Sequence, residues 1–190
     1  MRALLFVMAM VLLTACKSTP AEYYHFSSGN HLNATGLYWI EGYEFEVVDE
    51  TAGFMPASEV QESLLNQLIT HLHETGVYAS DKNSASYMVS IKAKYVRDVN
   101  HKQGFDPLNL NNGNILLGVN FSYRITISQS GQNVLSFGKD NQRYVQNGIA
   151  ANVSNLFATV SGETNASSEV GYIDYFSDML KKDFDFIPRK

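Results

Sequence analysis

Two stretches of this chain alternate apolar and polar residues almost without a break, and they constrain the fold more than any other feature. In Tyr87 to Val96, the residues Tyr87, Val89, Ile91, Ala93 and Tyr95 alternate with Ser90, Lys92 and Lys94. In Val119 to Ser128, the residues Val119, Phe121, Tyr123, Ile125 and Ile127 alternate with Ser122, Arg124, Thr126 and Ser128. Successive side chains of a strand point to opposite faces, so a period of two predicts strands with one buried and one wet face. That one-sidedness argues for an antiparallel sheet, because parallel sheets are usually covered on both faces. The apolar face needs a cover, and Ser58 to Thr75 supplies one. Val60, Leu64, Leu65, Leu68, Ile69 and Leu72 recur at spacings of three and four, the stripe of an amphipathic helix. Ser58 with Gln61 fits a capping box at its start, and Gly76 fits the left-handed residue that ends it.

The remaining elements follow from the same periodicities. Leu37 to Val48, LYWIEGYEFEVV, predicts a strand in which Tyr43, Phe45 and Val47 alternate with Glu44 and Glu46, and Gly42 marks a bulge. Tyr23 to Phe26 is either a short first strand or the lead-in to the fold. Ser130-Gly131-Gln132 signals a tight turn into a strand near Val134–Phe137 that continues through Tyr144 and Val145. Residues 97–118 read as an unusually long loop. Residues 147–171 are rich in Asn, Ser and Gly, with Val153, Leu156, Phe157 and Val160 at helix-like spacing. Ile173 to Phe184 closes the chain as a second amphipathic helix. The order predicts an α+β two-layer sandwich: a mostly antiparallel sheet of four to five strands with two helices packed on one face. The opposite face then carries Glu44, Glu46, Lys92, Lys94 and Arg124.

The amino end follows a different logic. Residues 1–16, MRALLFVMAMVLLTAC, place Arg2 before an apolar run from Ala3 to Leu13, then small residues. This is the order of a secretory signal peptide, and the run is shorter than the ~20 apolar residues a spanning helix needs. Leu13-Thr14-Ala15-Cys16 resembles the lipobox of bacterial lipoproteins. The resemblance implies cleavage before Cys16 and acylation of its sulfur and its new amino group. Cys16 is the single cysteine of the chain, so export to an oxidising compartment gives it no disulfide partner within the chain. The expected organisation is a signal peptide at 1–15, a lipidated tether at 16–22 and a single periplasmic α+β domain at 23–190. Lys17 in place of the Asp of the inner-membrane retention signal implies the outer membrane, with the domain facing the periplasm. The membrane is thus one expected partner, reached through the lipid.

The charge balance narrows the other partners. Once Arg2 is removed, 13 basic and 19 acidic residues leave a net charge of −6, with no run of Lys or Arg. Nucleic acid and anionic lipid surfaces are therefore not expected partners. No catalytic chemistry is legible either. His71 and His73 stand two apart on the predicted helix and point about 200° apart, so they cannot share a metal, and a solvent-side position is expected for both. His101 lies in the long loop with Asp106. No serine sits in a GxSxG elbow and no glycine-rich phosphate loop follows a strand. Glu44 and Glu46 alternate with core residues and fall on the wet face, which argues against a paired-carboxylate active site. The expectation is accordingly no enzyme, no catalytic residue, no metal and no cofactor.

The feature left to carry function is the long loop. Leu108, Leu110, Ile115, Leu116 and Leu117 are apolar where a polar connection was due; they either form a contact for a partner or cap the open end of the sheet core. The sequence of lipobox, aromatic strand, capped helix ending in a glycine turn, long hairpins and terminal helix resembles small outer-membrane lipoproteins of the YajG type. It is also similar to auxiliary lipoproteins of bacterial lipid-transport ABC systems, whose folded part often begins with a paired-Tyr stretch like Tyr23-Tyr24. LYWIEGYEFEVV lacks the proline-containing phrase of those auxiliaries. The expected role is a scaffold or accessory subunit that binds an unidentified envelope protein. A lipid-transport auxiliary and an envelope hydrolase are the alternatives.

Overall fold

The computed structural model describes residues 23–27, 31–50, 53–100, 115–145 and 166–190. The leader, the lipobox and the whole tether lie outside them, as do His101, Leu108, Leu110 and the 153–160 stripe. Five strands form one sheet: β1 (Tyr23–Phe26), β2 (Tyr38–Val48), β3 (Tyr87–Asn100), β4 (Ile115–Gln129) and β5 (Gln132–Tyr144), in the order β1-β5-β4-β3-β2. β2 and β3 are parallel and every other neighbouring pair is antiparallel. Helix α1 (Ala57–Glu74) makes the crossover between the parallel pair, and α2 (Ala166–Asp185) packs beside it over the same sheet face. This is the two-layer α+β sandwich that the alternation and the stripe demand.

The core sits between the layers. Val60, Leu64, Leu68 and Leu72 of α1 are buried, with Val89, Ile91 and Tyr95 of β3 and Phe121, Ile125 and Ile127 of β4 beneath. Phe176 of α2 lies 4.7 Å from the Phe121 ring and meets Tyr95 edge-on. Phe184 wedges edge-on between Tyr38 and Phe137. Each such side chain taken out of water contributes roughly 1.5–3 kcal/mol before conformational entropy is counted.

Several local features form as expected. The register between β2 and β3 slips between Ile40 and Gly42, so a bulge there moves the inward face from Tyr38 to Tyr43, Phe45 and Val47. Gly76, at φ 69°, closes α1 in a Schellman arrangement: its N–H bonds the His73 carbonyl and the Val77 N–H bonds that of Leu72. Ser130 and Gly131 both have positive φ, as a two-residue hairpin between β4 and β5 requires.

Three expectations need correction. Pro56 occupies the N-cap of α1 and no side chain caps it, so the Ser58–Gln61 capping box does not form. The connection read as 97–118 is shorter, because β3 runs to Asn100 and β4 starts at Ile115. Antiparallel pairing with a neighbour of similar length carries both strands past the point where alternation fades. Helix α2 begins at Ala166, not Ile173, with Glu169 buried in its first turn.

Candidate functional site

The sheet brings its most unusual chemistry to the end where β2 and β3 finish and β4 begins. Arg97 continues the inward phase of Val89, Ile91, Ala93 and Tyr95, so its guanidinium is carried under α2. Its Nε donates to Glu169 Oε1 at 2.7 Å and its Nη2 to Oε2 at 3.0 Å. The two side chains are 1% and 0% exposed. Arg97 also donates to the carbonyls of Asp49 and Met55, and the Met55 N–H donates to Glu169 Oε2 at 2.8 Å. The rings of Phe54 and Tyr95 flank the cation at 5.5 and 5.9 Å. The bidentate fork joins β3, the loop before α1 and the first turn of α2 at one point.

A second buried cluster lies nearer the middle of the sheet. Lys139 follows Leu135 and Phe137 in the inward phase of β5, and its Nζ lies 3.1 Å from Asp183 of α2. The Tyr123 hydroxyl donates to the same carboxylate. Lys139 and Asp183 are 3% and 0% exposed, so charge is matched where neither ion reaches water. Each pair fastens α2 to the sheet. Burial also acts on three phenols. It raises the Tyr38 pKa to about 12, against a lowering by the nearby Arg189 cation, and raises that of Tyr43. Tyr95 is raised by burial first and then by the negative charge of Glu169.

The outer sheet face has no helix over it among the described residues. A groove of about 430 Å³ crosses it, lined by Glu44, Glu46, Lys92, Lys94, Ser122, Arg124 and Asp140. Glu44 and Lys92 are register partners with their charged ends 2.8 Å apart, and Glu46 and Lys94 repeat the arrangement at 3.1 Å. All four side chains are about half exposed or more, so each pair contributes only about 0.2–1 kcal/mol. The face predicted from alternation is therefore present, and its opposite charges are ordered in rows across the strands.

The partner-contact residues divide. Leu116 is buried beneath the sheet end, in the capping role, whereas Leu117 is 44% exposed. The register passes from Asp98–Gly118 to Val99–Leu116, which leaves Leu117 as the extra residue of a bulge. Ile115 pairs with Asn100 through the backbone. Val170 and Tyr175 of α2 and Phe186 beyond it are the other exposed large apolar side chains among the described residues. Tyr175 stacks on Tyr144 of β5, the ring centroids 4.0 Å apart and the planes 7° from parallel.

His71 lies partly exposed on α1. Its Nε2 lies 2.8 Å from the Asp185 carboxylate, tying the exit of α1 to that of α2, while the His73 ring packs on Tyr78. Among the described residues no three His, Cys, Asp or Glu side chains are placed to hold a metal ion. The buried residues Arg97, Lys139, Glu169 and Asp183 were not singled out from sequence. Their signal was present: each is a charge in phase with an apolar face.

No protein-family model matches the chain, and no curated protein matches it. Among solved structures it is similar to a neuraminyllactose-binding hemagglutinin homolog from Helicobacter pylori, at 14% identity over 86% of this chain and 95% of that one, with a TM-score of 0.40. It is also similar to a PelC dodecamer from Paraburkholderia phytofirmans, at 12% identity over 76% of this chain and 98% of that one, with a TM-score of 0.32. Likenesses this distant carry no argument about fold or function.

Proposed function

We propose that this is a lipid-anchored protein of the bacterial outer membrane, facing the periplasm, that acts by binding another envelope protein as a scaffold or accessory subunit. The observation that carries the reading is the lone Cys16 at the end of Leu13-Thr14-Ala15-Cys16, directly after an apolar leader. Two acyl chains hold a protein stably where one holds it marginally, since each buried CH₂ contributes about 0.8 kcal/mol. Among the described residues no helix is long and apolar enough to cross a membrane, so a lipid gives the domain an attachment that its described helices do not. The folded part supports a binding role through its uncovered sheet face. The rows of Glu44–Lys92 and Glu46–Lys94 offer both signs of charge at fixed spacing, a surface suited to polar recognition of a protein partner. The buried ion pairs are consumed in fastening α2, which leaves them occupied.

The test is a Cys16→Ser variant expressed in its native host. It is expected to fold, to keep its leader and to lose the lipid-modified mass that the native protein shows by mass spectrometry. Native protein with a free thiol, or with residues 1–15 still attached and no added lipid, would refute the reading.

A further inference from the structure

The direction of β1 limits where a lipid on Cys16 would hold the domain. Strand β1 runs antiparallel to β5, with Tyr23 opposite Gly138 and Phe26 opposite Leu135, so the polypeptide travels toward the Ser130-Gly131 turn. The described chain thus enters β1 from the side of the end where Tyr144 pairs with Val119. Gly138 pairs with Arg124, and Leu117 lies seven residues further along β4, roughly 23 Å at about 3.3 Å per residue. Seven residues also separate Cys16 from Tyr23, and an extended chain of that length spans at most about 25 Å. The two lengths match. A tether that doubled back toward the hairpin would spend about four residues on a turn and keep about 10 Å of reach, short of that end.

Three of the four exposed large apolar side chains among the described residues lie at this end. Leu117 stands out of its bulge, Val170 is 48% exposed in the first turns of α2, and Tyr175 is 43% exposed above Tyr144. Asp98 and Arg143, both exposed here, pair with each other at 2.7 Å. Tyrosine rings with an apolar body and a polar tip suit the boundary between lipid chains and water.

We propose that this end of the sheet is a membrane-contact surface, with Leu117, Val170 and the Tyr144–Tyr175 stack seated in the headgroup layer of the bilayer that anchors Cys16. The proposal rests on the acylation of Cys16, and it gives Leu117 a lipid rather than a protein partner. The outer sheet face then stands roughly upright from the membrane, open to partners from the side.

Tryptophan fluorescence in vesicles tests it, because Trp39 is the single native tryptophan and lies at the opposite end, level with Met88 and Ser128. The full acylated protein, and its Leu117→Trp, Val170→Trp and Phe186→Trp variants, are reconstituted into phosphatidylcholine vesicles with or without acyl-chain bromine. Flotation reports anchoring and quenching reports orientation. The emission added at positions 117 and 170 is expected to fall by about half or more in brominated vesicles, as for side chains seated at the acyl boundary, while Trp39 and the probe at 186 stay unchanged. Protein that floats but leaves 117 and 170 unquenched would overturn the orientation and return Leu117 to a protein partner, with the anchor intact. Equal quenching at both ends would overturn it as well, since the domain would then lie flat. Failure to float would remove the anchor and the orientation together.

Discussion

Replacing Glu169 with alanine should be among the most damaging single changes available in this protein. It removes three charge-assisted contacts, two from Arg97 at 2.7 and 3.0 Å and one from the Met55 N–H at 2.8 Å. The guanidinium keeps the Asp49 and Met55 carbonyls but loses the anion that offsets its burial. Breaking a buried pair from one side costs about 3–5 kcal/mol, against a total stability of about 5–15 kcal/mol for a domain of ordinary size. The companion is Arg97→Met with Glu169→Leu, which removes both ions. It takes the fork away from the Met55 N–H and carbonyl and from the part-buried Asp49 carbonyl, yet strands no charge. Replacing a whole buried pair by apolar residues of similar volume is often neutral, so the double variant should be less destabilised than Glu169→Ala. Guanidinium unfolding followed by Trp39 emission, which senses the stacked Tyr78 ring, supplies both numbers. A loss below about 1 kcal/mol for Glu169→Ala would show that Arg97 is solvated, and the account of a buried fork would fail.

Alkaline titration should expose the buried phenols. An unfolded tyrosine ionises near pH 10, whereas Tyr38 does so at about 12 and Tyr43 and Tyr95 are raised too; the stability they add is whole below pH 10 and lost as pH rises through the folded values. Unfolding free energy should fall above pH 10 by up to about 1.4 kcal/mol per unit for each of the three, and tyrosinate absorbance that saturates for all tyrosines while the fold persists would contradict this. Leu64→Ala, at a fully buried position, should cost about 2–5 kcal/mol, while Lys92→Ala on the outer face should cost less than about 1 kcal/mol. Thermal or denaturant unfolding that ranks these two the other way would refute the assignment of inner and outer faces.

The layers of this fold were legible because their signal is periodic. Odd positions of β3 and β4 and the α1 stripe each specify a face without reference to distant residues. What periodicity could not supply was partnership. Nothing in YYHF says that β1 adds to β5 rather than to β2, because four residues carry no register of their own. Ser58 looked like a cap, yet Pro56, whose fixed φ leads the chain into α1, starts the helix two residues earlier without one. The charges show the limit best. Arg97 and Lys139 sit where the alternation expects an apolar residue, and Glu169 and Asp183 lie on the buried side of α2. Each alone looks like a lapse in the pattern; only the packing of α2 on the sheet shows that the lapses are complementary. Leu116 and Leu117 show the same limit, since adjacent leucines were separated into core and surface by a bulge that no composition signals.

The first and last parts of the domain are sewn together. Leu32 accepts from the Lys190 N–H and donates to the Pro188 carbonyl, while the Ala34 N–H donates to the carbonyl of Lys190. Leu32 and Ala34 thus take backbone partners from the segment that follows α2. These bonds join segments far apart in sequence, so the stitch closes only after the sheet and α2 have brought the two segments together. Load applied to the backbone at Lys190 would therefore pull directly on Leu32 and Ala34.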